Sequence, residues 1–170
     1  MMDKNRTANF LVIVENNKGI LFKVANSYCR NNEDRKDLVQ EIILQLWKSF
    51  DSYNEKFKCS TWIYRISLNV AISFYRKESS RKRISNPITT DIFDFSDKEI
   101  SDEKETNLGI LNHIISELND LNKALMLLYL EEKSYKEISE IIGITETNVA
   151  TKIGRIKSIL KKEFNQLKIQ

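Results

Sequence analysis

The sequence predicts an all-α protein of two small helical domains joined by a flexible acidic linker. Three observations carry that expectation. Only four glycines and one proline interrupt the 170 residues, so long helices are favoured over a turn-rich β architecture. Apolar residues recur at spacings of three and four through two long blocks, without strand-like alternation or an internal repeat. Between residues 84 and 107 that periodicity lapses and the composition turns polar and acidic. The domains are therefore expected at 1–83 and 108–170, with 84–107 as the linker. A chain of this length suits one medium domain or two small ones, and its 41% apolar content is enough for real cores.

Within the first block, Leu38, Ile42, Ile43, Leu46, Trp47 and Phe50 make one apolar stripe, placing a helix over residues 37–50. Its polar positions Asp37, Gln40, Glu41 and Gln45 border that stripe, which either closes the domain core or docks a partner helix. A polar connection with Lys56 and Lys58 follows. The next stripe reads Trp62, Ile63, Ile66, Val70 and Phe74. Arg65, Arg76, Lys77, Arg81, Lys82 and Arg83 lie on or just after that helix, interleaved with Trp62, Tyr64, Phe74 and Tyr75. Cations beside aromatics suit single-stranded nucleic acid, whose bases stack while its phosphates are neutralised. Aromatics at helical spacing also serve simply as core, and both readings stay open here.

The middle segment holds the only proline, Pro87, and sets seven acidic residues (Asp91, Asp94, Asp97, Glu99, Asp102, Glu103, Glu105) against Lys98 and Lys104. That balance suits a solvated spacer, with Phe93 and Phe95 as local anchors. The second block opens with Ile110, Leu111, Ile114, Ile115 and Leu118, then Leu121, Leu125, Leu128 and Tyr129. Ser134-Tyr135-Lys136-Glu137 has the spacing of a capping box. Ile138, Ile141 and Ile142 give a short helix its apolar face, and Gly143 stands where that helix must end. Thr145 caps a second helix whose buried face reads Val149, Ile153, Ile156 and Leu160. Short helix, glycine turn and second helix make a helix-turn-helix over about residues 134–160, winged-helix-like but wingless. The open face of the second helix presents Thr147, Asn148, Thr151, Lys152, Arg155 and Lys157. Polar groups near its start suit base edges, and the cations beyond suit phosphates.

Other classes find little support. Cys29 and Cys59 are isolated thiols and His113 is the only histidine, so no zinc site can be assembled and no metal or cofactor is expected. No glycine-rich phosphate loop or nucleophile–base pair appears, and binding rather than catalysis is expected. Residues 1–9 lack the apolar core of a signal peptide, and residues 10–14 are far too short to span a bilayer. A cytoplasmic protein without membrane insertion is the expectation.

With those residues in view, the chain resembles the extracytoplasmic-function group of the sigma-seventy family, the promoter-specificity subunits of bacterial RNA polymerase. The resemblance covers roughly residues 16–83 and 108–164. Asp37-Leu38-Val39-Gln40-Glu41 followed by Leu46-Trp47 looks like the family's polymerase-binding helix, which grips a coiled coil on the largest catalytic subunit. The resemblance implies Asp37, Gln40, Glu41, Leu44 and Trp47 as polymerase contacts. Thr61-Trp62-Ile63-Tyr64-Arg65-Ile66 with Asn69 looks like the stretch that opens the −10 element and captures a flipped base. It implies Lys56, Lys58, Trp62, Arg65, Asn69, Arg76 and Lys77 as −10 contacts. Residues 118–160 look like the domain that reads the −35 element, with Thr145, Thr147, Asn148, Thr151, Lys152, Arg155 and Lys157 as its contacts. Ser73, Ala150 and Gly154 depart from the family's usual residues, so promoter preference does not carry over. In the family the tether threads through the polymerase, and its acidity suits a nucleic-acid mimic as well as it suits a plain spacer.

The resemblance implies core RNA polymerase and promoter DNA as partners, together with an anti-sigma factor. It also implies a monomer when free, or a 1:1 complex with that factor. Two other readings of the residues remain. An operator-binding regulator would be a dimer on a two-fold site and would give the helix over 37–47 no reason for exposure. A protein-binding module would show no salt-dependent DNA binding by its C-terminal domain.

Overall fold

Asn31 sits in extended backbone, and its side chain accepts a 2.7 Å hydrogen bond from the amide of Asp34. That cap satisfies a free donor and starts a helix upstream of the expected Asp37. In the computed structural model, which describes residues 4–53, 56–85 and 103–168, this helix is the second of seven. Side chains are described over 5–53, 56–77 and 107–167.

The first block holds α1 (Lys4–Tyr28), α2 (Asn32–Ser49), a 3-10 turn (Phe50–Ser52) and α3 (Cys59–Ser85). The second holds α4 (Glu103–Glu117), α5 (Asp120–Leu130), α6 (Tyr135–Ile142) and α7 (Glu146–Lys168). Among the described residues there is no strand. The all-α expectation holds, with Phe50 in the 3-10 turn rather than in α2. Helix enters the expected linker from both ends, as α3 runs on to Ser85 and α4 begins at Glu103. Residues 86–102, including Pro87, Phe93 and Phe95, lie outside the described residues. No helix among those described is long and apolar enough to cross a membrane.

In the first block α1, α2 and α3 pack against one another. Leu38, Ile42 and Leu46 of α2 are fully buried, as their four-residue spacing requires. The buried line of α3 differs from the expected one. Ile63, Tyr64, Ser67, Leu68 and Ala71 face inward, while Trp62, Ile66, Val70 and Phe74 are half-buried along its flank. Small residues on the inward line hide it from a reading that weights bulky side chains.

In the second block α7 packs on α4, α5 and α6. Asn119 caps α5 by accepting from the Asn122 amide at 2.9 Å. The end of α5 closes as a Schellman turn, with Lys133 N–H donating to Leu128 C=O and Glu132 N–H to Tyr129 C=O. Glu132 takes the left-handed conformation there (φ 57°), a place glycine fills at lower cost.

The two blocks also touch, α3 lying against α6 and α1 against α5. Their buried residues form one continuous cluster.

Candidate nucleic-acid interface

The helix-turn-helix is built from local chemistry. Ser134 Oγ accepts from the Glu137 amide at 3.2 Å, and the Glu137 carboxylate accepts from the Ser134 amide at 3.1 Å. Both halves of the capping box are therefore made. The Ser134 amide and then the Lys58 ammonium hold the Glu137 carboxyl down at about 2. Gly143 adopts φ 82° and donates its amide to Ser139 C=O at 2.8 Å, ending α6. Thr145 Oγ1 accepts from the Asn148 amide at 3.2 Å and so caps α7. Val149, Ile153, Ile156 and Leu160 are all buried. Each element of this motif sits where its sequence signals place it.

On the open face of α7, Thr145, Thr147, Asn148, Thr151 and Arg155 are exposed, and Lys152 is half-buried. The Thr151 hydroxyl donates to Thr147 C=O at 2.9 Å, leaving its lone pairs outward. Lys157 turns aside: its ammonium lies 4.0 Å from the Tyr129 ring centroid and donates to the Tyr129 hydroxyl at 2.5 Å. Gly154 is exposed, with open space where a Cβ would stand.

In the first block the structure draws two expected sets to one place. Asp37, Gln40, Glu41 and Leu44 of α2 face Asn69 and Lys77 of α3 across a cleft of about 830 Å³. Asn69 is exposed, so its amide is open to a ligand. Trp47 stands apart from that cleft. Its ring meets Phe10 edge-on at 5.0 Å and carries the Arg6 guanidinium at 4.0 Å. With Leu11, Gln40 and Leu44 it lines a second, apolar groove of about 410 Å³ between α1 and α2. Arg6 is anchored by Asp51 at 2.7 Å, a contact the sequence reading did not find.

The remaining −10 candidates lie elsewhere. Lys56 is exposed in the loop before α3. Trp62 leans on Tyr53 at 4.9 Å between ring centroids and on Phe50 at 6.4 Å. Lys58 pairs with Glu137 at 3.1 Å, Arg65 donates to Glu140 C=O, and Arg76 pairs with Asp120 at 3.0 Å. These three partners all belong to the second block. Arg81, Lys82 and Arg83 lie on the described backbone of α3, beyond the described side chains.

Between the blocks sits a cluster that the sequence reading missed. Lys123 is only 5% exposed, and its ammonium lies 5.5 Å from the Tyr28 ring centroid and 5.2 Å from that of Tyr75. Burial lowers the pKa of its ammonium against the attraction of Asp120 and Glu117. Tyr28 donates its hydroxyl to Asp120 C=O at 2.9 Å. Burial, with the Asp120 charge beside it, raises the Tyr28 phenol well above its ordinary range. Lys23 and the Tyr64 hydroxyl both meet Glu131.

Comparison with known proteins gives this arrangement a family. Residues 13–81 match the model for Sigma-70 region 2, and residues 108–160 the model for Sigma-70, region 4. The extracytoplasmic-function (ECF) RNA polymerase sigma factor SigM of Bacillus subtilis (strain 168) is 27% identical over 147 residues, covering 86% of this chain and 89% of the relative. SigW of the same organism, another ECF RNA polymerase sigma factor, is 27% identical over 168 residues, covering 93% and 90%. Two solved structures share the fold at 17% identity. CnrH, in complex with the cytosolic domain of CnrY, aligns with a TM-score of 0.67 over 94% of this chain and 90% of its own. The sigma factor RpoE of Bartonella quintana, in complex with the anti-sigma factor NepR, aligns at 0.65 over 96% and 98%. Matched in order across both helical blocks, the chain belongs to the sigma-70 family, as an alternative sigma factor of the extracytoplasmic-function group.

Proposed function

We propose that this chain binds core RNA polymerase through α2 and directs it to promoters, with α7 on the −35 duplex and α3 on the opened −10 element. One observation carries the reading. The α2–α3 cleft brings Asp37, Gln40, Glu41 and Leu44 to the same opening as Asn69 and Lys77. A polymerase element seated on α2 thereby lies next to the groups that hold a displaced base, which couples recruitment to opening.

The division of labour follows from the side chains. On α7, Thr147, Asn148, Thr151 and Arg155 stand exposed and suit the major groove, whose base edges offer a distinct donor–acceptor pattern. The Asn69 amide suits the edge of a flipped base, and contacts to such a base offset an unstacking cost of a few kcal/mol. The chemistry is binding rather than catalysis. For the free chain, an anti-sigma protein in a 1:1 complex is the proposed partner. The likeness to RpoE, solved with the anti-sigma factor NepR, supports that reading.

Pull-down tests recruitment. The purified chain should retain core RNA polymerase, and Gln40→Ala with Leu44→Ala should weaken retention by about tenfold, the effect of losing roughly 1.4 kcal/mol at a contact. Full retention by that double variant would place the polymerase contact elsewhere, and no retention by the wild type would reject the sigma reading.

A further inference from the structure

Arg6 lies 45 residues from Asp51 in sequence, yet three contacts hold its guanidinium at the end of α2. Its Nε and one terminal nitrogen donate to the two Asp51 carboxylate oxygens at 2.7 and 2.9 Å. The same terminal nitrogen reaches Trp47 C=O at 3.4 Å, and the guanidinium carbon lies 4.0 Å over the Trp47 ring. Trp47 stands in the last turn of α2, where its carbonyl already accepts the Phe50 amide. Arg6 takes the second lone pair, and its charge meets the negative end of the helix dipole. Only 22% of the Arg6 side chain is exposed, against 74% of Asp51.

What Arg6 holds is a turn. Asp51 is the middle residue of the 3-10 turn Phe50–Ser52, which leads from α2 into the connection carrying Lys56 and Lys58. The turn's own bonds are local: Ser52 Oγ donates to Ser49 C=O at 2.6 Å, and the Tyr53 amide to Phe50 C=O at 3.1 Å. An aromatic chain runs beside them. Phe10 meets Trp47 at 5.0 Å and Phe50 at 5.4 Å, Phe50 meets Trp62 at 6.4 Å, and Trp62 meets Tyr53 at 4.9 Å. Arg6 therefore touches one residue assigned above to polymerase, Trp47, and through Asp51 holds the start of a stretch assigned to the opened strand. Lys58, at the end of that stretch, meets Glu137 at the seam between the blocks.

We propose that Arg6 is a positioning residue for strand capture. It ties the 3-10 turn to α1 and to the Trp47 ring, and so fixes where the connection into α3 stands relative to Trp62. The inference rests on the assignment of α2 to polymerase, and of α3 with its preceding connection to the −10 element. Lysine cannot take this place. An ammonium meets one carboxylate oxygen, whereas the planar fork pairs with both and stacks on the indole at the same time. Because Asp51 is exposed, the pair adds little to overall stability, and its effect is on geometry.

Arg6→Lys and Asp51→Ala test this in the full chain with core RNA polymerase, on a fragment that the wild-type chain transcribes. Each variant should slow promoter opening about fivefold, the effect of losing one hydrogen bond, read by permanganate reactivity of unpaired thymines. Polymerase retention and duplex gel shift should stay within about twofold of wild type, and the urea midpoint nearly unchanged, since an exposed pair contributes little to stability. The double variant should open no more slowly than either single one, because both break the same contact. In a Trp62→Phe background without polymerase, Arg6→Lys should raise acrylamide quenching of Trp47 fluorescence. Normal opening by either variant overturns the proposal. Losses that multiply in the double variant overturn it too, because the two residues then act independently. A loss of retention equal to the loss of opening makes Arg6 a polymerase contact instead. Unchanged quenching removes the tie to Trp47. A wild-type chain that retains no polymerase rejects the sigma reading and this role with it, and the quenching arm still shows whether Arg6 holds the ring.

Discussion

Asn69 is one exposed amide on α3, and the proposed function gives it a single task. Its side chain offers two donors and an acceptor at the mouth of the α2–α3 cleft. Asn69→Ala should slow promoter opening by about tenfold, the loss of one or two hydrogen bonds, while docking on closed duplex stays within about twofold. Permanganate reactivity of unpaired thymines reads the first quantity and gel shift the second. Equal losses in both would reassign Asn69 to general binding. At this scale the sequence told the charged residues less clearly than the apolar ones. Lys123 is a lysine that reads as surface, yet it is buried between two tyrosine rings. Lys157 reads as a phosphate contact because it follows Arg155 on α7, but the Tyr129 ring beside it offers its ammonium a nearer partner. Trp47 reads as part of an apolar stripe that either closes the core or docks a partner, and Phe10 with Arg6 packs against its ring.

Among the elements, α6 is where local chemistry and the seam meet. Glu137 serves the capping box and also holds Lys58. Ser134→Ala removes one half of the box and should destabilise the chain by about 1 kcal/mol. The Glu137 carboxyl is depressed from 4.5 to about 2, so its stabilising effect is fully present above pH 4.5 and fades as pH falls toward 2. Glu137→Gln should flatten that part of the acid limb relative to wild type. Urea unfolding between pH 5 and about 2 compares them, and an acid limb identical in both proteins would remove the carboxylate from the account. The α6–turn–α7 element was fully legible because its signals are local: a Ser-x-x-Glu spacing, one glycine at φ 82° and an unbroken apolar line. Elsewhere legibility fell with the signals. The start of α2 was missed because its cap, Asn31, precedes a charged stretch with no apolar residue to mark a helix. The inward line of α3 was misplaced by one flank, because Ser67 and Ala71 carry little apolar weight while Trp62 and Phe74 carry much.

For the whole molecule, the two-block plan and its helical class were readable from periodicity and from the acidic interruption between them. How the blocks meet was not. Lys58 and Glu137 stand 79 residues apart, and no local pattern links a lysine in one loop to a carboxylate in a distant helix. Long-range pairs of this kind depend on shape, which emerges only when both cores are formed. On α7, Thr147, Asn148, Thr151 and Arg155 stay exposed, while Lys58, Arg65 and Arg76 have polar partners in the second block. Run-off transcription on genomic fragments, with core polymerase and the purified chain, tests the central claim most directly. The account predicts discrete transcripts that core polymerase alone does not make, which weaken when Asn69 or Arg155 is replaced by alanine. A transcript pattern identical to that of core polymerase alone would contradict it.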